Sequence, residues 1–392
     1  FTGGEMENFT FINTTKIIFG KGTENQAGAE AVRYGSKILL HYGGGSIKKY
    51  GLYDRVLKSL KDAGLEVIEL GGVKPNPMLG LVKKGIDICR KEKIDFILAV
   101  GGGSTIDSAK AIASGVPYSG YVWDFYSGKA ELKEILPIGV VLTIPASGSE
   151  SSSSSVITNE DGMYKKGFVS DLLQPKFAIL NPEITYTLPP YQTACGAADI
   201  MAHIMERYFT SVKNVDLTDR LCEAALKTVI NNVSVVLEEP KNYDARAEIM
   251  WAGSIAHNNL LGTGRIGDWG SHKIEMEISG IYDLAHGAGL AVILPAWMKY
   301  VYKKDVERFA QFAVRVWDQE PDFYHLEKTA LKGISRLKDF YKGIGLPVTL
   351  GEANIPYDRL EEMAKKCTES GTVGNFVKLD EDSVLKILVM SK

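Results

Sequence analysis

Cysteine is scarce in this 392-residue chain: Cys89, Cys195, Cys222 and Cys367 are all there are. None forms a C-x-x-C pair, so neither a disulfide scaffold nor a structural zinc knot is indicated, and the thiols read as reduced and cytoplasmic. An excess of charge of one sign is lacking too. Lys plus Arg number 45 against 48 for Asp plus Glu, a net charge of -3. That leaves no basic field for nucleic acid or an anionic membrane surface. No apolar run reaches the roughly 18 to 20 residues that span a bilayer. The opening Phe1-Thr-Gly-Gly-Glu-Met6 has no basic region followed by an apolar core, so it does not read as a secretory signal. Histidine is rare, with six in the chain, and three of those six belong to one pattern.

With 45% hydrophobic residues and this length, the chain can bury two sizeable cores. Apolar runs alternate with helix-like stretches in the first half. Strands are expected at Lys37–Tyr42, Glu66–Leu70, Asp95–Val100, Pro137–Ile144 and Phe177–Leu180, with helices over Tyr50–Ala63, Gly80–Glu92 and Ser104–Ala113. This alternation predicts a Rossmann-like parallel sheet covered on both faces. After Asn181-Pro182 long helical patterns follow one another. The reading is an α/β dinucleotide-binding domain over 1–183 and an all-helical, metal-binding and catalytic domain over 184–392.

Two glycine clusters end strands. Gly101-Gly102-Gly103-Ser104 follows one strand and opens a helix, so its amides are free to hold a phosphate; the plain alternative is an ordinary tight turn. It is not the G-x-G-x-x-G fingerprint. Asp107 and Lys110 sit on the first turns of that helix, where a solvated face is the simple reading. Gly43-Gly44-Gly45-Ser46 ends an earlier strand and is followed by Lys48 and Lys49. That stretch carries donors and positive charge and no acid to repel a 2′-phosphate, which favours NADP(H) while leaving NAD(H) possible. The serine-rich Ser147–Ser155 is either a flexible loop or a hydroxyl-rich loop over a cofactor.

Asp199 and His203 stand four apart in the helix-like Cys195–Tyr208, hence on one face. An unpartnered buried Asp costs several kcal/mol, so the pair argues for a ligand role. With His272 and His286 it makes a one-carboxylate, three-imidazole set suited to Fe2+ or Zn2+. Cys195 is a further candidate, although four ligands already complete a set. His41, His257 and His325 read as ordinary structural histidines.

Taken together, Gly101-Gly-Gly-Ser-Thr-Ile-Asp-Ser-Ala-Lys110, Leu142-Thr-Ile-Pro-Ala-Ser-Gly-Ser-Glu150, Leu180-Asn-Pro182, the Asp199/His203 pair and His286-Gly-Ala-Gly289 resemble the iron-containing (group III) alcohol dehydrogenase family. The likeness is strongest to its butanol dehydrogenase and broad aldehyde reductase branch, and Tyr42-Gly-Gly-Gly-Ser-Ile-Lys48 resembles its NADP-using members. The resemblance implies a dehydroquinate synthase-like fold, α/β plus all-α, with Asp199, His203, His272 and His286 as metal ligands. It implies Gly101, Gly102, Gly103, Ser104 and Asp107 along the cofactor, with Thr143, Ser147 and Lys165 nearby, and a homodimer. Many relatives carry a second histidine four residues after the third ligand; here that position is Met276, so proton movement falls to a cofactor ribose hydroxyl or water.

The expected activity is hydride transfer between NADP(H) and a primary alcohol or aldehyde such as butanol or butyraldehyde, with the metal on the substrate oxygen. A lyase or synthase on the same fold needs basic residues for an anionic substrate, and Arg265 alone offers one beside Leu261, Ile266, Trp269 and Met276. A metal hydrolase would bind no nicotinamide. A non-catalytic nucleotide-binding module would not need the ligand set.

Overall fold

The structure, a computed structural model, describes residues 4–392, so the start of the Phe1–Met6 stretch lies outside the described residues. Two compact units divide the chain: Ile12–Leu188 with Pro240–Asn258, and Phe1–Phe11 with Pro189–Glu239 and Asn259–Lys392.

The first unit is a six-stranded parallel sheet in the order β1-β8-β5-β4-β2-β3. Its strands are β1 (Lys16–Phe19), β2 (Lys37–Tyr42), β3 (Glu66–Leu70), β4 (Phe96–Gly101), β5 (Ile138–Leu142) and β8 (Phe177–Leu180); β6 (Ser154–Asn159) and β7 (Tyr164–Val169) form a separate antiparallel hairpin. The helices are α1 (Ala27–Ala31), α2 (Ser46–Lys49), α3 (Leu52–Asp62), α4 (Leu79–Glu92), α5 (Gly103–Gly115), α6 (Trp123–Tyr126) and the late arrival α9 (Tyr243–His257). Strand alternation sorts the core into two halves. Ile38, Leu40, Leu98, Val141 and Ile179 pack on one face, while Leu39, Ile97, Ala99, Val140 and Ala178 pack on the other. Continuous apolar runs are what a sheet buried on both faces requires.

The expected strands fall where the periodicity placed them, with ends shifted by a residue or two. β1 and the β6–β7 hairpin were not anticipated. The chain leaves this unit at Leu188 and returns for Pro240–Asn258, a return that contiguous boundaries do not include.

The second unit is helical: α7 (Pro190–Tyr208), α8 (Asp216–Glu238), α10 (Gly270–Tyr282), α11 (His286–Val301), α12 (Val306–Trp317), α13 (Leu326–Gly343), α14 (Leu360–Cys367) and α15 (Glu381–Met390). No helix among the described residues is long and apolar enough to cross a membrane.

Candidate metal and cofactor sites

The helical unit brings three helices together around one point. α7 carries Asp199 and His203 a single turn apart, α10 carries His272 in its first turn, and α11 opens at His286. Asp199, His272 and His286 each present a ligand atom within 4.8 Å of the others. His203 is not in that trio, nor is Cys195. The His203 ring lies 4.7 Å from that of His272, and its Nδ1 is 2.8 Å from the Asp199 carbonyl oxygen and 3.0 Å from Asp199 Oδ1.

Close helix approach makes the cluster possible. A Cβ on Gly287 would lie 2.0 Å from the Cys195 carbonyl oxygen, and one on Gly289 would lie 2.5 Å from Glu275 Oε1. Glycine at both positions lets α11 settle against α7 and α10. The aromatic wall is Trp269, whose ring meets those of His203 and His272 edge-on at 6.0 and 5.3 Å.

His272 Nε2 is buried with no hydrogen-bond partner, and buried Asp199 Oδ1 has only the His203 Nδ1 contact at 3.0 Å. Leaving a buried imidazole nitrogen unpaired costs on the order of 1–3 kcal/mol, so His272 Nε2 clustered with the Asp199 carboxylate and His286 fits a cation among them. Burial works to raise the Asp199 carboxyl, but the His203 and His286 rings outweigh it and hold it well below the carboxylate range. Burial, then the neighbouring His203 and His286, push His272 well down, so it stands neutral as a ligand must.

Two buried carboxylates stand behind the histidines. Glu206 Oε1 accepts from His272 Nδ1 at 2.7 Å, from the His272 amide at 3.1 Å and from the Ser271 hydroxyl at 2.6 Å. Glu275 Oε2 accepts from His286 Nδ1. A count of one carboxyl group against three imidazoles therefore leaves out two more carboxyl groups at the site. In sequence Glu206 follows His203, and Glu275 follows His272, by three positions in apolar helix, a spacing that does not reveal which histidine each carboxylate meets.

Arg265 is not available to an anionic substrate. Its buried guanidinium pairs with Asp219 at 2.8 Å and donates to the Val215 and Arg207 carbonyls. Met276 is half-buried on α10, one turn beyond His272.

In the α/β unit both glycine clusters lie at carboxyl ends of strands. At Gly101–Gly103, added Cβ atoms would lie 2.3 Å from Thr105 Oγ1, 2.2 Å from Ile144 and 2.3 Å from Ser147 Oγ respectively. The turn is thus pressed against the segment after β5, where the Thr143 amide bonds to the Gly101 carbonyl. No side chain caps α5, whose first residues are Gly103 and Ser104. Gly44 and Gly45 differ: a Cβ there would meet nothing within 4 Å. The fold does not require glycine at either, and what glycine leaves is open space beside exposed Ser46 and Lys48.

Lys48 is not isolated. Its Nζ lies 3.8 Å from Glu69 and over the rings of Tyr42 and Tyr53 at 5.0 and 4.5 Å, while both tyrosine hydroxyls donate to Glu69. An acid therefore does stand beside the Gly43–Ser46 loop, brought there by β3 rather than by the loop itself.

The serine stretch is not a flexible loop. Lys110, fully buried, donates to the Ser149, Ser152 and Ser154 carbonyls and to the Ser152 hydroxyl at 2.8–3.2 Å. It is no solvated residue: burial pulls its pKa down to about 8 against the opposing pull of Asp107 and Glu150. Asp107 accepts from the Ser149 hydroxyl at 2.6 Å and the Val156 amide at 3.1 Å, so both its oxygens hold this turn. On the far side Ser254 donates to Glu150 at 2.6 Å, and His257 Nδ1 contacts the Ser147 carbonyl at 2.9 Å, which binds α9 to the turn. Lys165 bonds to Asn76 at 2.9 Å. His41 is structural: Nδ1 meets the Leu70 carbonyl and Nε2 the Ser108 hydroxyl.

Comparison with known proteins agrees with this layout. Residues 14–182 match the family described as iron-containing alcohol dehydrogenase, and residues 193–391 match the Fe-containing alcohol dehydrogenase family, C-terminal. A probable NADH-dependent butanol dehydrogenase 2 of Bacillus subtilis is 47% identical, over 98% of this chain and 99% of its own length. An NADPH-dependent aldehyde reductase of Escherichia coli is 38% identical, over 93% and 94%. The crystal structure of an NADH-dependent butanol dehydrogenase A from Thermotoga maritima superimposes with a TM-score of 0.95 at 41% identity, covering 99% of both chains. This chain belongs to the iron-containing alcohol dehydrogenase family.

Proposed function

We propose that this protein is a metal-dependent, nicotinamide-linked alcohol dehydrogenase or aldehyde reductase acting on primary alcohols and aldehydes of the butanol and butyraldehyde kind. The observation that carries this reading is the buried cluster of Asp199, His272 and His286, whose ligand atoms lie within 4.8 Å of one another and in which His272 Nε2 has no hydrogen-bond partner. Asp199, His203, His272 and His286 are the proposed ligands of an Fe2+ or Zn2+ ion. Bound there, the ion supplies Lewis acidity to a substrate oxygen. A bound nicotinamide cofactor would supply the hydride chemistry.

The chain's own residues do the rest. Trp269 and Met276 offer an apolar surface beside the ligands, and Arg265, committed to Asp219, gives an anionic substrate no partner. Met276 carries no exchangeable proton, so the proton added to the substrate oxygen on reduction comes from water or a ribose hydroxyl. On the cofactor side, the uncapped start of α5 with Gly101, Gly102, Gly103 and Ser104 is proposed to hold the pyrophosphate, with Thr143, Ser147 and Lys165 nearby. Asp107 supports that turn.

For the 2′ position the proposed cofactor is NADP(H), received by Gly43, Gly44, Gly45, Ser46 and Lys48. A second reading, NAD(H), is favoured by Glu69, which holds Lys48 at 3.8 Å and brings negative charge to the same corner. The names of the relatives fall on both sides. We also propose a homodimer, supported by the exposure of Phe9, Phe11 and Ile12 in one short segment. Butyraldehyde reduction with NADPH and NADH, before and after chelation, tests the reading. Metal-dependent oxidation favouring NADPH supports it in full, turnover with NADH alone moves it to the second cofactor, and no turnover with either overturns it.

A further inference from the structure

All three candidate imidazole ligands have Nδ1 engaged by an oxygen. His203 Nδ1 faces the Asp199 carbonyl, His272 Nδ1 faces Glu206, and His286 Nδ1 faces Glu275. A carbonyl or carboxylate oxygen accepts, so Nδ1 is the donor in each contact, and in the neutral ring that leaves the lone pair on Nε2. The two carboxylates also cross between helices. Glu206 reaches from α7 to the ligand on α10, and Glu275 reaches from α10 to the ligand on α11. Each helix thus orients the ligand on the next. Both side chains are essentially removed from solvent, at 1% and 0% exposure. Burying a carboxylate is unfavourable unless it is well bonded, and the histidine Nδ1 atoms are among the donors that each of these two meets.

We infer that Glu206 and Glu275 are positioning residues for the metal. They fix the tautomer and ring orientation of His272 and His286, raise the basicity of both Nε2 atoms, and add negative charge that draws in a divalent cation. Gly289 belongs to the same device, because a Cβ there would stand 2.5 Å from Glu275 Oε1 and force it away from His286. This inference rests on the metal-site reading above.

The test is cobalt(II) binding by the metal-stripped full chain, followed by its visible d–d absorption and by competition with a chromophoric chelator. Glu206→Gln and Glu275→Gln keep the side-chain shape while removing the charge. Each is expected to weaken cobalt binding by about 10- to 100-fold and to alter the d–d band. Gly289→Ala is expected to weaken binding in the same direction. Thermal unfolding of the metal-free proteins separates the roles: a merely structural carboxylate lowers that midpoint while the folded variant keeps wild-type cobalt affinity and spectrum. Wild-type affinity and spectrum in both Gln variants overturn the inference and leave the metal site standing. A wild-type chain that binds no cobalt overturns the metal-site reading, and this inference with it.

Discussion

Asp199 and His203 could be read from the sequence because four-residue spacing in apolar helix leaves a carboxylate and an imidazole on one buried face. Glu206 and Glu275 could not. A glutamate three positions after a histidine on a helix is ordinarily a solvated residue, and only the crossing of α7, α10 and α11 shows that each addresses a histidine on another helix. Lys110 was misread for the same reason, since the acceptors that surround it come from a turn about forty residues later. Two outcomes are expected at this scale. Asp199→Ala and His272→Ala lose bound metal and aldehyde reduction together, as metal analysis and rate measurement on the same samples will show. His41 gives a pH signature. Burial lowers its pKa from 6.5 to about 4, so the unfolded chain takes up the proton more readily than the folded one. Its contribution of about 3 kcal/mol is in place above pH 6.5 and is lost as pH falls through 4. Urea midpoints across that window should fall more steeply for wild type than for His41→Gln; parallel curves would contradict the assignment.

Among elements, the buried parallel strands were legible because β4, β5 and β8 are continuous apolar runs and β2 carries Ile38, Leu39 and Leu40 in succession. β1 was not, since Lys16-Ile-Ile-Phe19 is short and lies at the sheet edge. The β6–β7 hairpin was hidden because its first strand begins inside the serine run, where hydroxyl-rich sequence imitates a loop. The glycine clusters are alike in sequence and different in structure. Gly102 is demanded by Ile144 at 2.2 Å, whereas nothing in the fold demands Gly44. Gly44→Ala should therefore leave the unfolding midpoint unchanged, within about 0.5 kcal/mol, while raising the KM for the cofactor. An unchanged KM would remove the Gly43–Ser46 loop from the cofactor site. Gly287→Ala should behave in the opposite sense, destabilising the helical unit by roughly 1–3 kcal/mol through contact with the Cys195 carbonyl, as urea unfolding would measure.

For the whole molecule, an α/β part followed by a helical part was legible from the change in periodicity near Asn181-Pro182. The return of Pro240–Asn258 to the α/β unit was not, because α9 has the same helical pattern as its neighbours in sequence. Its place is set by Ser254 and His257 gripping the serine turn. The proposed homodimer belongs to this scale. Phe9→Ser with Phe11→Ser should shift sedimentation toward the monomer if the exposed N-terminal segment is buried between subunits, and an unshifted dimer would place the interface elsewhere.

The most direct test of the central claim is metal titration of the stripped protein during butyraldehyde reduction. The account predicts no turnover without metal and a rate that rises with added iron(II) or zinc up to one equivalent per chain, with no recovery in His272→Ala. Full turnover by the metal-free wild-type protein would contradict it.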